Sequence, residues 1–115
     1  MSDEPLEPQN LTRSCHEALI LAILEGGERH GYQLALELEE SSGGAFRFNH
    51  GTLYPILHKL EQDGLIAGVW DESSPRRKRK RYALTARGGV QLGEHRRSWR
   101  RFVQAFFNIV GREGA

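Results

Sequence analysis

The sequence has a single cysteine, Cys15, so no disulfide can form within the chain and a reducing cytoplasm is the expected environment. No stretch approaches the ~20 apolar residues that a membrane-spanning helix needs. The N-terminus is acidic and has no signal-peptide pattern. We therefore predict a cytoplasmic protein with no membrane association.

The sequence also lacks the residue spacings that typically bind metals or carry catalysis. It has no Gly-rich phosphate loop, nucleophile elbow, HxxxH or CxxC pattern. The histidines are scattered along the chain: His16, His30, His50, His58 and His95. We expect no enzymatic activity, no metal and no cofactor.

Positive and negative charges nearly balance over the whole sequence but are unevenly distributed along it. Residues 1–49 hold three basic and nine acidic residues, a net charge of −6, whereas residues 50–101 hold twelve basic and five acidic residues, a net charge of +7. Six basic residues are consecutive, at 76–81. Such an asymmetry indicates a surface that faces a polyanion, although a basic run can also be a solvated turn.

Hydrophobic periodicity and turn residues predict four helices and two strands. The helices are expected at about 11–25, 31–40, 51–63 and 85–110, with Thr85 as the cap of the last. The strands are expected at 65–71 and 79–85, and Phe46 and Phe48 are compatible with a further short extended segment. Residues 1–10 and 111–115 are predicted to be an arm and a tail.

The third predicted helix has two distinct faces. Leu53, Ile56, Leu57 and Leu60 lie on one side at i, i+3, i+4, i+7 spacing. The opposite side has no large aliphatic residue and no acid. Its members are Gly51, Pro55, His58, Lys59 and Gln62, flanked by Thr52 and Tyr54. This pattern is typical of a helix that packs on one side and offers polar contacts on the other.

The last predicted helix has an apolar stripe close to a heptad pattern. The stripe consists of Trp99, Phe102, Val103, Phe106 and Val110. A three-helix core with a small hairpin has no further surface to bury these side chains, and a monomer that exposed them would tend to aggregate. We therefore predict a homodimer through this helix. Gly93 indicates either close approach of another backbone or a local weakness.

The order helix, helix, helix, strand, basic loop, strand predicts a winged helix-turn-helix at 11–84, mainly α with a small β-hairpin, followed by a dimerisation helix at 85–110. In such a fold the third helix, the recognition helix, lies in the major groove of double-stranded DNA. The two strands and their basic loop form the wing, and the loop lies along the neighbouring backbone or the minor groove.

Several motifs together resemble the PadR family of transcriptional regulators, in its short form with one C-terminal helix. They are the stretch from Gly51 to Ile66, then Trp70, the basic wing into Arg81-Tyr82-Ala83-Leu84-Thr85, and His30-Gly31-Tyr32-Gln33-Leu34. Ala86-Arg87-Gly88-Gly89 departs from the family's usual Pro-x-Gly, which implies a shifted helix start. The resemblance implies a dimeric, mostly repressing DNA-binding protein.

The resemblance also implies the residues that face DNA. On the recognition helix these are Thr52, Tyr54, Pro55 and Lys59, and on the wing they are Arg77, Arg79 and Lys80. The basic run adds Arg76 and Lys78 as candidates. His58, on the polar side of the helix, either touches DNA or is ordinary polar surface. Tyr54 is equally well interpreted as a core residue at the edge of the apolar stripe.

Trp99 matches in placement a tryptophan that stacks on flat aromatic ligands in multidrug-sensing relatives. The resemblance therefore implies a planar aromatic effector between the two last helices, with Phe102, Val103, Phe106 and Val110 in the same interface. The alternative is that Trp99 only forms dimer core.

We predict a homodimeric repressor that occupies a palindromic operator and is released by a small planar aromatic effector. Two alternatives remain open. One is a non-specific, architectural nucleic-acid-binding protein driven by the basic run. The other is a winged-helix module for protein interaction, whose wing docks on an acidic partner.

Overall fold

The computed structural model describes residues 8–71 and 79–111, with side chains from Asn10 onward. Four helices and three strands follow one another along the chain. They are α1 (Pro8–Glu25), β1 (Arg29–His30), α2 (Gly31–Ser41), α3 (His50–Gln62), β2 (Ile66–Asp71), β3 (Arg79–Leu84) and α4 (Ala86–Val110). The strands form one antiparallel sheet in the order β1-β3-β2. The predicted winged helix-turn-helix, mainly α with a β-hairpin, is confirmed.

Three local predictions differ from the structure. α1 begins at Pro8, three residues before the predicted start. Residues 29–30 form a third strand that pairs with β3, with Arg29 opposite Tyr82, where a turn was expected. A strand of two residues is too short to show a periodicity in the sequence. It forms only because its residues pair with β3. No strand forms around Phe48, which instead packs against the core and meets the His16 ring edge-on at 4.7 Å.

The core lies where α1, α2, α3 and the base of the sheet meet. α3 contributes the apolar side that its spacing predicted, with Leu53, Leu57 and Leu60 buried. The other buried apolar residues are Ile20, Leu21, Leu24, Leu34, Leu38, Leu65, Ile66, Tyr82 and Leu92. Burial of these side chains fixes α3 on its inner side and leaves its polar side outward.

The junction between β3 and α4 is fixed by Thr85 and Gly88. The Thr85 hydroxyl accepts a hydrogen bond from the Gly88 amide at 3.0 Å and donates to the carbonyl of Gly64 at 2.7 Å. Thr85 is therefore the N-cap, as predicted, and α4 begins directly after it. A Cβ at Gly88 would collide with the Leu65 carbonyl oxygen, so glycine here permits the close approach.

The C-terminal half of α4 projects away from the core. Leu92 and His95 are its last buried side chains, and Val103, Phe106, Phe107, Ile109 and Val110 are exposed. The nearest atom to a Cβ built at Gly93 is a guanidinium nitrogen of Arg97, at 3.8 Å, so Gly93 is not required by packing among the described residues. None of the described helices is long and apolar enough to cross a bilayer.

Candidate nucleic-acid interface

α3 presents an exposed polar face. All five predicted DNA-facing residues of this helix are exposed: Thr52, Tyr54, Pro55, His58 and Lys59. The helix begins at an Asn49 cap, whose side-chain oxygen accepts from the Thr52 amide at 2.9 Å. The cap and the buried leucines hold the helix rigidly, so its outer face is a preformed surface.

Lys59 lies at one edge of this face and pairs with Asp63, one turn later on α3. The Nζ–Oδ1 distance is 3.0 Å, and both side chains are well exposed, at 61% and 41%. An exposed i,i+4 pair contributes little and is screened by salt, so Lys59 can exchange the carboxylate for a phosphate at small cost.

Tyr54 lies at the opposite edge and has a packing role as well as an exposed surface. Its ring stacks on His50, with centroids 5.4 Å apart, and its hydroxyl lies against Gly31 at the start of α2. A side chain at residue 31 would collide with that ring. Tyr54 still has 38% of its surface exposed. The two interpretations of Tyr54 are therefore compatible with one another.

The wing contains the basic run, of which the structure describes the last three residues. Arg76, Arg77 and Lys78 lie outside the described residues. Arg79 is exposed and lies over the Tyr32 ring, 5.0 Å from its centroid, with a guanidinium nitrogen 3.5 Å from the hydroxyl. Arg79 therefore stays near α2, on the same side of the molecule as Tyr54.

Arg81 is tied to the acidic residues around β1. It donates to Asp71 at 3.0 Å and to Glu28 at 3.3 Å, and these hydrogen bonds raise the pKa of the guanidinium. The same carboxylate of Asp71 lies 3.1 Å from Nε2 of His30. These ion pairs link β1 and the residue before it to β2 and β3, the two strands of the wing.

Lys80 is directed toward α3. Its Nζ donates to Glu61 Oε1 at 2.7 Å, and the two side chains are 24% and 28% exposed. The pair borders a cleft of about 400 Å³ between α2, α3 and the wing. The sequence-based prediction gave Glu61 no role. An acidic residue on the recognition helix, at the edge that faces the basic wing, could have suggested a pair with a wing residue.

The predicted dimer and effector residues share one face of α4. Trp99 and Phe102 are half-buried and meet edge-on at 5.3 Å, and Phe102 is followed by Phe106 at 6.5 Å. Val103 and Val110 are exposed beside them. The stripe is continuous, and its N-terminal part rests on α1 through Trp99.

The family model described as "Transcriptional regulator PadR-like family" matches residues 20–94, well over half of the chain. The chain belongs to the PadR-like family. It is a DNA-binding transcriptional regulator of this family, whose members are not enzymes.

Relatives of this PadR-family regulator are found among curated and solved proteins. It is 41% identical over 79 residues to the transcriptional regulator Rv3488 of Mycobacterium tuberculosis, covering 69% of this chain and 70% of that one. It is 32% identical over 73 residues to the negative transcriptional regulator PadR of Bacillus subtilis, covering 64% of this chain but only 40% of that one. The PadR-like regulator of Bacillus cereus is 31% identical, with a TM-score of 0.73 over 91% of this chain and 99% of that structure.

The described part of the regulator contains no group of three or more His, Cys, Asp and Glu residues arranged to hold a metal ion. Several of its charged side chains form pairs that link different elements. Besides the pairs of the wing, Arg96 of α4 binds Glu25 of α1 through two hydrogen bonds, at 2.7 and 3.0 Å. This bond lowers the pKa of Glu25. Sequence periodicity carries no information on such pairs, because their partners are far apart in the chain.

Proposed function

We propose that the protein is a homodimeric repressor that binds a palindromic operator in double-stranded DNA. The exposed polar face of α3, beside a basic wing on a winged helix-turn-helix, is the observation that carries this proposal. In this arrangement α3 enters the major groove and the wing follows the adjacent backbone. The negative regulation named for the relative from Bacillus subtilis supports repression as the direction of control.

The residues proposed to meet DNA have two roles. Thr52, Tyr54, Pro55, His58 and Lys59 form the face of α3 toward the groove. The wing run at 76–80, Arg76, Arg77, Lys78, Arg79 and Lys80, supplies positive potential along the backbone. With ~8 phosphate contacts per dimer, the logarithm of affinity falls with the logarithm of salt concentration at a slope of about −7.

Dimerisation is proposed to use the exposed stripe of α4. Phe106 is 48% exposed and Ile109 is 88% exposed, among neighbours that are also apolar. A second copy of the same helix would cover these side chains and exclude water from them. Two-fold symmetry then requires two operator half-sites about one helical turn, or a multiple of it, apart.

Release from the operator is proposed to follow binding of a small planar aromatic effector at Trp99. The half-buried indole at the inner end of the stripe can stack on a flat ligand between the two copies of α4. Such a ligand would change the separation of the two recognition helices. In a W70F variant, which leaves Trp99 as the one tryptophan, acridine dyes should quench fluorescence saturably, and in the wild type the same dyes should lower operator affinity. No saturable quenching would contradict the effector proposal.

The operator proposal is tested by selection of genomic DNA fragments on the purified protein, followed by competition with random DNA. A specific regulator should prefer its selected fragment by ~10³ or more. Equal affinity for random DNA would favour an architectural protein. Replacing Arg76, Arg77 and Lys78 by alanine should abolish DNA binding and leave the dimer intact. DNA binding that survives this change would contradict a role for the wing, whereas a wild type that binds no DNA and forms a complex with an acidic protein would favour the protein-interaction module.

A further inference from the structure

The Glu61–Lys80 pair joins the recognition helix directly to the wing. Glu61 lies at the end of α3, on the side toward the sheet, and Lys80 is the second residue of β3. Their 2.7 Å contact bridges the cleft that separates the two elements. The pair therefore spans the two parts of the protein that must meet DNA together.

Glycine and aromatic residues of the wing shape the space in which Lys80 lies. Its Nζ is 5.5 Å from the ring centroid of Trp70, its partner across the strands, and 5.8 Å from that of Tyr82. A Cβ built at Gly68 would lie 2.5 Å from Cε of Lys80 and 3.1 Å from Oε2 of Glu61. The aliphatic part of Lys80 thus occupies the space that a side chain at residue 68 would fill. We call Glu61, Gly68, Trp70, Lys80 and Tyr82 the wing clasp.

The surroundings of the pair make it unlike the ion pairs of the open surface. Both charged side chains are about three-quarters buried, and the ammonium group lies within cation–π distance of the Trp70 and Tyr82 rings. Burial raises the pKa of Tyr82 to about 12, with the charge of Glu61 adding to the effect, so its phenol stays neutral beside the pair. Loss of one partner would leave the other charge poorly solvated, which disfavours a Lys80 that leaves Glu61 for a phosphate.

We infer that the wing clasp sets the angle of the wing relative to the recognition helix, and that Lys80 and Glu61 are positioning residues for DNA binding. Lys80 then acts through Glu61 and does not contact a phosphate. Glu61 favours DNA binding although it is acidic, because it holds the wing in position. The inference rests on the proposed operator binding and reassigns one residue of the wing run.

Glu61→Gln separates the two roles by the sign of its effect. If Lys80 positions the wing, E61Q weakens affinity for the selected operator fragment by about tenfold, because the Lys80 ammonium loses its charged partner and the wing is held less firmly. If Lys80 contacts a phosphate, E61Q removes a competing carboxylate and a negative charge, and affinity rises. Fluorescence anisotropy with a labelled fragment measures both outcomes, and tighter binding would overturn the inference.

Lys80→Met gives a second, independent measurement through salt dependence. A positioning role predicts an affinity loss similar to that of E61Q, no further loss in the double variant, and a salt slope equal to that of the wild type. If Lys80 instead binds a phosphate in each protomer, its removal would reduce the magnitude of the slope by about 1.8 per dimer. The exchanged variant E61K/K80E should regain part of the affinity, whereas an acid facing a phosphate would prevent any recovery.

Gly68→Ala displaces Lys80 while it keeps every charge. The added methyl group meets the end of a flexible side chain, so the lysine shifts and the backbone stays in place. We expect an affinity loss like that of E61Q. The matched control is Gly89→Ala, on an exposed part of α4 with no atom within 4 Å of the added group. A G68A variant that binds operator as tightly as G89A would overturn the inference.

Hydrogen exchange of β2 and β3 in the free protein distinguishes failure of the clasp from failure of the proposed function. E61Q, K80M and G68A should each speed exchange in the wing, while circular dichroism confirms that α1 to α4 remain folded. Unchanged exchange would overturn the inference even if the wild type binds its operator. A wild type that prefers no fragment overturns the proposed function and with it the role in DNA binding, whatever the exchange rates show.

Discussion

The indole Nε1 of Trp99 donates a hydrogen bond to the hydroxyl of Ser14, 3.1 Å away, and so connects α4 to α1. The same hydroxyl lies 3.4 Å from Nδ1 of His95, the last buried side chain of α4. α1 therefore helps to fix the orientation of the residue that we propose as the contact for an effector. A ligand that stacks on Trp99 would act on this connection as well as on the second protomer.

Ser14→Ala should loosen Trp99 without removing it. The change deletes the half-buried hydrogen bonds to Trp99 and His95, and we expect the free energy of unfolding to fall by about 1–3 kcal/mol. In the W70F background the emission of Trp99 should also shift, because its indole N–H loses its protein partner. Urea unfolding and emission spectra measure the two effects. Ser41→Ala, at an exposed serine ending α2, is the control. A Trp99 spectrum identical in both variants would contradict the prediction.

Phe106→Glu should separate the protomers. The substitution places a charge in the middle of the exposed apolar stripe of α4, where dimerisation would bury it. Sedimentation should show a monomer at concentrations where the wild type is dimeric, and operator affinity should fall with it. Gln104→Glu adds the same charge to the polar face of α4 and should leave the dimer intact. An F106E protein that sediments with the wild type would place the interface elsewhere.

Much of the fold could be predicted from the sequence, because apolar residues recur at helical spacing. The apolar stripe of α3 and the Thr85 cap lie where their patterns placed them, because both depend on neighbours in the chain. β1 and the Glu61–Lys80 contact could not be predicted in this way. A two-residue strand exists only through its partner, and an ion pair 19 residues apart depends on how the wing folds back on α3.

Gly88 and Gly89 are neighbours in sequence that should respond oppositely to alanine. A methyl group at residue 88 collides with the carbonyl of Leu65, and we expect a loss of about 1–3 kcal/mol in the free energy of unfolding. A methyl group at residue 89 meets open space on an exposed helix, and should stabilise the protein by about 0.5–1 kcal/mol. Thermal and urea unfolding measure both changes. Equal effects of the two substitutions would contradict the close approach of α4 to Leu65.

His16 should make stability depend on pH. Burial against Phe48 lowers the pKa of His16 below its usual value of 6.5. The unfolded chain therefore takes up the proton at a higher pH than the folded protein does. The contribution of neutral His16 is complete above pH 6.5 and is lost as the pH falls through that value toward the lower pKa of the folded state. Urea unfolding between pH 7.5 and 5 should show a shallower decline for H16Q than for the wild type. The same decline in both proteins would show that His16 does not titrate this way.

Lys59 should behave as a phosphate contact, unlike Lys80. Lys59→Met should weaken operator affinity and reduce the magnitude of the salt slope by about 1.8 per dimer, because each protomer then binds one phosphate fewer. Asp63→Asn should tighten binding by about two- to fivefold, because it frees Lys59 from a weak exposed pair. An unchanged slope in K59M would place Lys59 away from the phosphates.

The opposite signs expected for Asp63→Asn and Glu61→Gln follow from exposure. Lys59 pairs with its carboxylate in open solvent, so a phosphate can replace that partner. Lys80 pairs with Glu61 under Trp70 and Tyr82, so loss of the acid disturbs the wing before any phosphate can benefit. Anisotropy titrations of D63N and E61Q against one operator fragment at one salt concentration compare the two directly. A change of the same sign in both variants would mean that burial does not separate the roles of the two lysines.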